Sequence, residues 1–371
     1  MVAGTMLDHG KITAGQMGLL LVTLVVATSV LFVPAVTAEA AGKDGWIALL
    51  FPATIFGLLV AWVCISLGLR FPEESVILYS QNILGSVPGH LIGLGYIFLF
   101  MWISANVVYE FGAFMETAFM PETPLLVFNS VLVLLAGYAV KNGLEVMSRA
   151  TQFVFPMLLA TFLLLAAFSI NDIQLTNFLP ILEKGIKPVL KGSLLPSAWR
   201  GEIVLLLMLL PNLNRPAESM KAGIYAVIFL GIILTFDTVA TVGVFGAELT
   251  GHLVFPFFSL SRYSRIAMVL ERMEALTMII WVTGVMLKVA IFYYGTVLAL
   301  AQWLKLKDYK PLVVPVGIIL INLSAILYSN SAELVAVTAR TWHPFAFTFE
   351  LLLPALLLAI AAVRKKGGNS R

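Results

Sequence analysis

The chain has 371 residues, of which 60% are hydrophobic and only 12% are charged, and its formal net charge is +3. A soluble domain is nearer half apolar and a quarter charged, so a globule of this composition could not cover its surface with polar groups. These values exclude a soluble enzyme and, because the net charge is small, a nucleic-acid-binding protein. The sequence therefore predicts an integral membrane protein.

Ten apolar runs are long enough to cross a bilayer, which takes roughly 20 residues. The predicted spans are 14–37, 46–68, 90–118, 124–140, 150–170, 193–211, 221–246, 274–304, 312–329 and 345–363. The first run could instead be a signal peptide cleaved near Thr37-Ala38-Glu39-Ala40. Its apolar stretch is longer than a signal-peptide core, and its N-terminal region holds one lysine beside Asp8. We therefore expect a single polytopic membrane domain over residues 1–371.

The charges of the loops predict the orientation, because short cytoplasmic loops carry an excess of lysine and arginine. If the N-terminus is cytoplasmic and ten spans alternate, the short outer loops hold only Lys43 and Arg340. The inner side then holds Lys11, Arg70, Lys141, Arg149, Arg215, Lys221, Lys305, Lys307, Lys310, Arg364, Lys365, Lys366 and Arg371. Both termini are therefore predicted to be cytoplasmic.

Two long segments fall on the outer side. The segment at about 171–192 contains Pro180 and Pro188 among alternating apolar residues, which predicts a structured loop with short helices. The segment at about 247–273 has apolar residues at helical spacing, which predicts amphipathic helices lying on the membrane domain. From Val254 to Met273, its charged residues are Arg262, Arg265, Glu271 and Arg272.

Five spans (repeat one, about 14–170) precede the first outer segment, and five (repeat two, about 193–363) follow it. Because five is odd, the halves enter the membrane from opposite sides, which permits the inverted repeat of many secondary transporters. Such proteins bind their substrate at interrupted helices in corresponding positions. The candidates are the first span, at Ala27-Thr28-Ser29 before Pro34, and the sixth, from Ser197 to Glu202. Small and hydroxylated residues are also common where membrane helices simply pack, so that alternative stays open.

Charged residues within or near the apolar runs are candidates for function, because a charge at the bilayer centre costs roughly 2.5 to 3.5 kcal/mol. Asn106 and Glu110 share one face of the third span, since they are four residues apart. That face is predicted to look into a polar interior. The alternative is a hydrogen bond between packed helices.

Lys288 lies deepest, in the eighth span, with Gly284 and Gly295 on or near its face, where a ligand carboxylate or a neighbouring helix could approach. The alternative is a buried ion pair with Glu110 or Glu202.

Glu202 follows Gly201 in the sixth span, where unwound backbone would offer main-chain groups to an anionic ligand. The alternative places Arg200 and Glu202 at the outer headgroup boundary. For Asp237 and Glu350 we favour packing or interfacial roles.

Motifs for other chemistry are missing from the sequence. Cys64 is the only cysteine, and the four histidines form no metal-ligand pattern. We find no nucleophile elbow and no paired aspartates in adjacent spans. We therefore expect no cofactor, no metal site and no enzymatic activity.

Short fragments spread over nearly the whole chain carry a resemblance to a known family. They are Lys11-Ile12-Thr13 with Gln16, Ala41-Gly42-Lys43-Asp44-Gly45-Trp46, Arg70-Phe71-Pro72, Glu110-Phe111-Gly112, Glu122-Thr123-Pro124, Gly143-Leu144-Glu145-Val146, Arg149, Asn177-Phe178-Leu179-Pro180-Ile181-Leu182, Gly185-Ile186-Lys187-Pro188, Gly201-Glu202, Leu207 to Pro211, Trp281, Gly284, Lys288 and Lys307-Asp308-Tyr309. In this order they resemble the B subunit of the nutrient germinant receptors of endospore-forming bacteria.

The resemblance implies the amino acid–polyamine–organocation transporter fold, with ten helices in two inverted five-helix repeats and with helices 1 and 6 interrupted. It also implies a receptor in the spore inner membrane, formed with an A subunit and a lipoprotein C subunit, in which this chain binds a small nutrient such as an amino acid. The implied ligand-binding residues are Thr28, Ser29, Asn106, Glu110, Gly201, Glu202, Lys288 and Tyr293. The glycine that transporters of this superfamily favour in the first break is missing, and Arg200 displaces the aromatic residue before Gly201. The identity of the nutrient therefore does not carry over.

Two functions from different classes remain. The first is a receptor subunit that binds a nutrient and triggers germination with its partner subunits. The second is an autonomous amino-acid permease, proton-coupled through Glu110 or Lys288. Uptake by the isolated chain would distinguish the permease from the receptor subunit.

Overall fold

The apolar runs fold into helices, and the described residues contain no strand beyond an isolated parallel bridge between Ile12 and Leu213. The structure is a computed structural model that describes residues 7–263, 270–330, 333–334 and 337–368. The predicted all-helical class is confirmed for these residues.

Each of the ten predicted spans corresponds to a helical segment in the described part of the chain. Eight helical runs are long and apolar enough to cross a membrane; one of them, Ala14–Arg70, contains two spans, and the shorter apolar helix Lys310–Ile326 supplies another. The helical segments are Ala14–Ala41, 45–70, Ser86–Ala118, Leu125–Asn142, Leu144–Ser169, Ile186–Asn212, Ser219–Phe245, Leu270–Trp303, Val313–Ile326 and 338–363. We number these spans one to ten.

The turn at Gly42 divides the first helical run into two spans. Gly42 has a φ of 60°, which glycine adopts without strain, and the 3₁₀ turn Gly42–Asp44 follows it. The two ends of this hairpin contact the same 3₁₀ turn, Leu210–Asn212. The Ile12 amide donates to the Asn212 carbonyl at 2.9 Å, and Gly68 packs against Leu210. The chain therefore crosses the bundle twice between residues 14 and 70.

The first span is one continuous α-helix, Ala14–Ala41, so the interruption predicted at Ala27-Thr28-Ser29 is not found. Alanine, serine and threonine are compatible with helical backbone, and this triplet contains neither glycine nor proline. Pro34, which lacks an N–H group, is accommodated within the helix. The Thr37 hydroxyl nearby donates to the Val33 carbonyl at 2.8 Å.

The sixth span changes its hydrogen bonding where the sequence predicts a break. The α-helix Ile186–Gly201 is followed by the 3₁₀ turn Glu202–Leu205, by the single turn Leu206–Leu209 and by a second 3₁₀ turn, Leu210–Asn212. A 3₁₀ turn moves the bonding partner from the fourth residue to the third, so main-chain pairing changes at the junction. The junction falls between Gly201 and Glu202.

The sixth and eighth spans form the centre of the bundle and are almost wholly buried, whereas only about a third of the residues of the fourth, fifth and tenth spans are buried. The first span packs against the fifth, sixth, seventh and eighth. Exposed side chains of the outer spans are apolar, among them Leu134, Phe153 and Leu356. An exposed apolar surface of this kind suits lipid as the surrounding solvent.

The outer segments fold as short helices packed on the spans. Asn177, in the 3₁₀ turn Leu175–Phe178, donates to the Gly243 carbonyl at 2.9 Å. Lys43 lies 2.7 Å from Glu183, and its hydrogen bond, together with its positive charge, lowers the pKa of that exposed carboxyl. The predicted amphipathic segment contains the helices Ala247–His252 and Pro256–Tyr263.

The second of these helices is amphipathic, as predicted. It buries Phe257, Phe258 and Leu260, while Arg262 remains outside with its guanidinium 4.5 Å from the centre of the Phe258 ring. The predicted continuation through Arg265 lies outside the described residues, as do the side chains of Glu271 and Arg272.

Asp8 ties the N-terminal segment to the face of the bundle that carries the N-terminus. Its carboxylate accepts hydrogen bonds from the Gly10 amide (2.8 Å), the Leu144 amide (3.1 Å) and the Tyr294 hydroxyl (2.9 Å). The Asn212 side chain donates to the Asp8 carbonyl at 3.1 Å. Asp8 is thereby joined to three parts of the bundle: the turn between the fourth and fifth spans, the eighth span and the end of the sixth span.

The C-terminal segment lies on the same face. The Arg364 guanidinium donates to the Ile83 carbonyl at 2.7 Å, and Gly367 lies against Arg70. Ile83 belongs to the helix Val76–Leu84, which packs against the third span and which the sequence analysis missed.

We predict that Asp8→Ala lowers the free energy of unfolding by about 2 kcal/mol, because hydrogen bonds to a charged group are the strong ones. Asp8→Asn, which keeps one acceptor oxygen, should lose less. Thermal unfolding of the purified protein measures both. Glu122→Ala, at an exposed outer position, is the control and should leave the midpoint unchanged. An equal midpoint for Asp8→Ala and the wild type would contradict the anchoring role.

Candidate functional site

A cavity of about 250 Å³ lies where the first, third, sixth, eighth and tenth spans meet. Its polar lining consists of two carboxylates, one ammonium group, one amide and several hydroxyls, and its remaining lining is apolar or aromatic. The lining residues are Thr28, Phe98, Trp102, Ile103, Asn106, Val107, Glu110, Trp199, Glu202, Lys288, Tyr328, Val337, Thr338, Thr341, Trp342 and Phe345. A space of this size and chemistry suits a small amphipathic molecule.

Lys288 joins three of the spans at the cavity wall. Its ammonium group lies 2.6 Å from a Glu202 carboxylate oxygen and donates to the Thr28 hydroxyl at 2.7 Å. The side chains of Lys288 and Glu202 are 1% and 4% exposed, so each charge depends on the other for neutralisation. The buried ion pair left open as an alternative for Lys288 is present, and it faces the cavity. Glu202 is therefore not at the headgroup boundary.

A second polar chain crosses the cavity from the third span. The Asn106 amide donates to Glu110 at 2.7 Å, and the Tyr328 hydroxyl donates to the Asn106 oxygen at 2.7 Å. Asn106 and Glu110 share a face, as their spacing predicts, and both line the cavity. The hydrogen bond of Glu110 is made within its own helix.

The third span forms an aromatic wall by the same four-residue spacing. Phe98 and Trp102 precede Asn106 and Glu110 at intervals of four, so the four side chains run along one helix face. Trp199, Trp342 and Phe345 add aromatic surface from the sixth and tenth spans. The cavity therefore pairs an ionic end with an aromatic end.

Five of the eight predicted ligand-binding residues line this cavity, namely Thr28, Asn106, Glu110, Glu202 and Lys288. Ser29, Gly201 and Tyr293 are not part of the lining. Ser29 is buried and follows Thr28 by one position, which turns it about a quarter of the way around the helix. The Tyr293 hydroxyl donates to the Val313 carbonyl of the ninth span, beside Gly137 and Gly317.

Gly201 contacts a residue for which the sequence favoured a packing or interfacial role. A Cβ atom at position 201 would collide with the carboxylate of Glu350, so only glycine allows this approach. Glu350 is fully buried in the tenth span, as Asp237 is in the seventh and Arg200 in the sixth. None of the three side chains is therefore exposed at the surface of the bundle.

The aromatic wall and the tenth-span residues are the part of the lining that sequence reasoning missed. The tenth span was predicted to begin at residue 345, whereas the helical segment begins at Thr338 and contributes Thr338, Thr341 and Trp342. The four-residue spacing of Phe98, Trp102 and Asn106 was a usable signal. Among the residues that the structure describes, no cluster of three or more His, Cys, Asp or Glu side chains could hold a metal ion.

We predict that Gly201→Ala lowers the free energy of unfolding by about 2 kcal/mol through overpacking, although alanine is the better helix former. The double variant Gly201→Ala/Glu350→Ala should be less destabilised than the sum of the two single variants, because removing the carboxylate makes room. Thermal unfolding of the four proteins measures this. Gly15→Ala, at a helical glycine with open space around it, is the control and should not destabilise. Additive effects would show that the two positions do not interact.

Comparison with known proteins gives a consistent assignment. The family model described as spore germination protein matches residues 11–332. The chain is similar to spore germination protein KB of Bacillus subtilis strain 168, with 28% identity over 97% of each chain. It is also similar to spore germination protein YndE of the same strain, with 27% identity over 96% of this chain and 98% of the relative. Spore germination protein XB of Bacillus anthracis is 23% identical over 87% of this chain and 90% of that protein.

Solved structures show the fold. The transporter MhsT in complex with L-phenylalanine superposes with a TM-score of 0.66 at 13% identity, covering 95% of this chain and 99% of that one. Mhp1, a nucleobase-cation-symport-1 family transporter in a closed conformation with bromovinylhydantoin bound, gives 0.62 at 10% identity, covering 97% and 95%. At these identities the likeness concerns the fold alone, and it confirms the transporter-like fold with inverted repeats.

Proposed function

The chain belongs to the spore germination protein family, and we propose that it is the B-type membrane subunit of a nutrient germinant receptor that binds a small amino acid in the cavity. The observation that carries this proposal is the buried Lys288–Glu202 ion pair at the cavity wall. Membrane interiors tolerate such charges where they have a partner, and they mark ligand paths. The pair therefore offers both signs of charge to a ligand.

A zwitterion fits the arrangement of charges. Its carboxylate would accept from Lys288 and Thr28, and its ammonium group would lie near Glu110 and Glu202. An apolar side chain would then contact the aromatic end, at Phe98, Trp102 and Trp342. The solved structure of MhsT contains L-phenylalanine, which is a zwitterion with an apolar side chain.

The proposed signal is a change in the equilibrium between two arrangements of the spans. The lining comes from five spans, so a ligand that binds one arrangement better shifts the population toward it. We propose that A and C subunits of the receptor read this shift. We also propose the spore inner membrane as the location, with both termini cytoplasmic. Asp8 and Arg364 lie on one face of the bundle, and the many basic residues near it support this orientation.

We predict that Lys288→Met weakens amino-acid binding by about 30-fold or more, which corresponds to about 2 kcal/mol, because it removes one partner of a buried charge pair. Glu202→Gln should weaken binding by a similar factor. Calorimetric titration of the purified protein with a panel of the proteinogenic amino acids measures the affinities. Lys221→Met, at an exposed position of the seventh span, is the control. Unchanged affinity in both cavity variants would remove the ligand from this site.

An autonomous amino-acid permease is the second candidate, and the transporter fold of both structural neighbours favours it. The two functions differ in what the chain does alone. For a receptor subunit we expect proteoliposomes with this chain to bind the amino acids found by calorimetry without accumulating them. Accumulation that Lys288→Met abolishes would instead establish the permease.

A further inference from the structure

Glu350 is a carboxylate that the proposed ligand site does not use. It lies in the π-helical segment Thr348–Leu352 of the tenth span and is 0% exposed. Neither of its carboxylate oxygens has a hydrogen-bond partner among the described residues. Segments of π-helix occur frequently at functional sites. This carboxylate is therefore an unexplained polar group inside the membrane domain.

The groups that face Glu350 from the second and third spans do not neutralise it. Cys64 of the second span has its thiol 4.0 Å from the main-chain carbonyl of Glu350, not from the carboxylate. The Tyr96 hydroxyl of the third span donates to the neighbouring Phe349 carbonyl at 3.1 Å. His343 lies seven positions earlier in the same span. The side chains of Cys64 and Tyr96 therefore interact with the main chain around Glu350 and not with its carboxylate.

The charged residues of the sixth span do not form an ion pair with Glu350 in the described part of the chain. Arg200 directs its guanidinium to the carbonyl oxygens of Pro196 (3.2 Å) and Leu49 (3.4 Å). Glu202 is paired with Lys288. An ionised Glu350 would be an unpaired charge in a medium of low dielectric, which is the costly case. A neutral carboxylic acid avoids this cost.

We propose that Glu350 is a proton-binding site within the membrane, and that its proton occupancy is coupled through Gly201 and Glu202 to the cavity. Its ligand is a proton taken from water, so that the carboxylate and H⁺ form the carboxylic acid and the reverse step returns the proton. The carboxyl group touches Gly201, the last α-helical residue before the 3₁₀ turn that carries Glu202. A displacement of this junction moves both carboxyl groups.

Electrostatics fixes the sign of the coupling. The negative charge of Glu202 favours the protonated form of Glu350, and the positive charge of Lys288 opposes it. An event at the cavity that leaves Glu202 less neutralised would therefore strengthen proton binding at Glu350, whereas a ligand ammonium group beside Glu202 would oppose it. By thermodynamic reciprocity, the proton occupancy of Glu350 would then alter ligand binding. This second step rests on the proposed function, whereas the proton site does not.

Infrared spectroscopy of the ligand-free protein in lipid tests the proposal, with the proton as the probe. At neutral pH the wild type should show a carboxylic acid C=O band that Glu350→Gln lacks. The band should weaken as the pH rises. Uniform ¹³C-glutamate labelling should displace the band, which separates it from the contribution of Asp237. Labelling requires no variant, so the assignment to glutamate stands even if a substitution impairs folding.

The variant Glu202→Gln tests the coupling. Because it removes one negative charge near Glu350, the carboxylic acid band of Glu350 should lose its intensity at a pH about one unit or more lower than in the wild type. Asp237→Asn, which removes another buried carboxyl, is the matched control and should leave the pH response of this band unchanged. An identical band in the wild type and Glu350→Gln, or no labelled glutamic acid band, would overturn the proton site. If the pH dependence of the Glu350 band were the same in Glu202→Gln as in the wild type, the proposed coupling to the cavity would be overturned.

Discussion

Neutralisation of buried charge is the constraint on which the rest of this structure depends. Lys288 and Glu202 are each nearly inaccessible, and either one alone would be a strongly unfavourable charge in the bundle centre. Their pairing requires the sixth and eighth spans to face each other within reach of the Lys288 side chain, with the first span near enough to place Thr28 at 2.7 Å. The same requirement accounts for the burial of the sixth and eighth spans. The cavity forms where these spans leave space beside the third and tenth.

The sequence predicts the spans well and the details of their hydrogen bonding less well. Hydropathy identifies helices because lipid permits no unpaired backbone, which leaves few alternatives to a helix. A break is different, since it depends on the tertiary environment. Gly201-Glu202 coincides with a real change to 3₁₀ geometry, whereas Ala27-Thr28-Ser29 remains helical because its residues suit a helix. The helix Val76–Leu84 was missed because it lies among the charged and turn-forming residues between two spans.

The polar half of the candidate site could be predicted, and the aromatic residues of the tenth span could not. Lys288, Glu202 and Glu110 are conspicuous because charges are rare in apolar runs, and Asn106 follows from its spacing to Glu110. Trp342 and Phe345 resemble many other aromatic residues of a membrane protein, and only the packing of the tenth span shows that they face the cavity. The prediction that Tyr293 lines the site was not met, because its side chain points toward the ninth span instead of the cavity. The sequence therefore identifies the membrane helices but does not show which face of each helix is turned toward the cavity.

The existing pair also restricts which ligands the proposed site would accept. A ligand that carried only a carboxylate would bind Lys288 and leave Glu202 without its counter-charge. A ligand that carried only an amine would bind Glu202 and leave Lys288 without its counter-charge. Each case leaves a buried unpaired charge, which costs several kcal/mol. A zwitterion supplies both charges and leaves neither residue unpaired. Selectivity for amino acids would therefore arise from the penalty on incomplete ligands, because the ion pair already satisfies both residues before any ligand arrives.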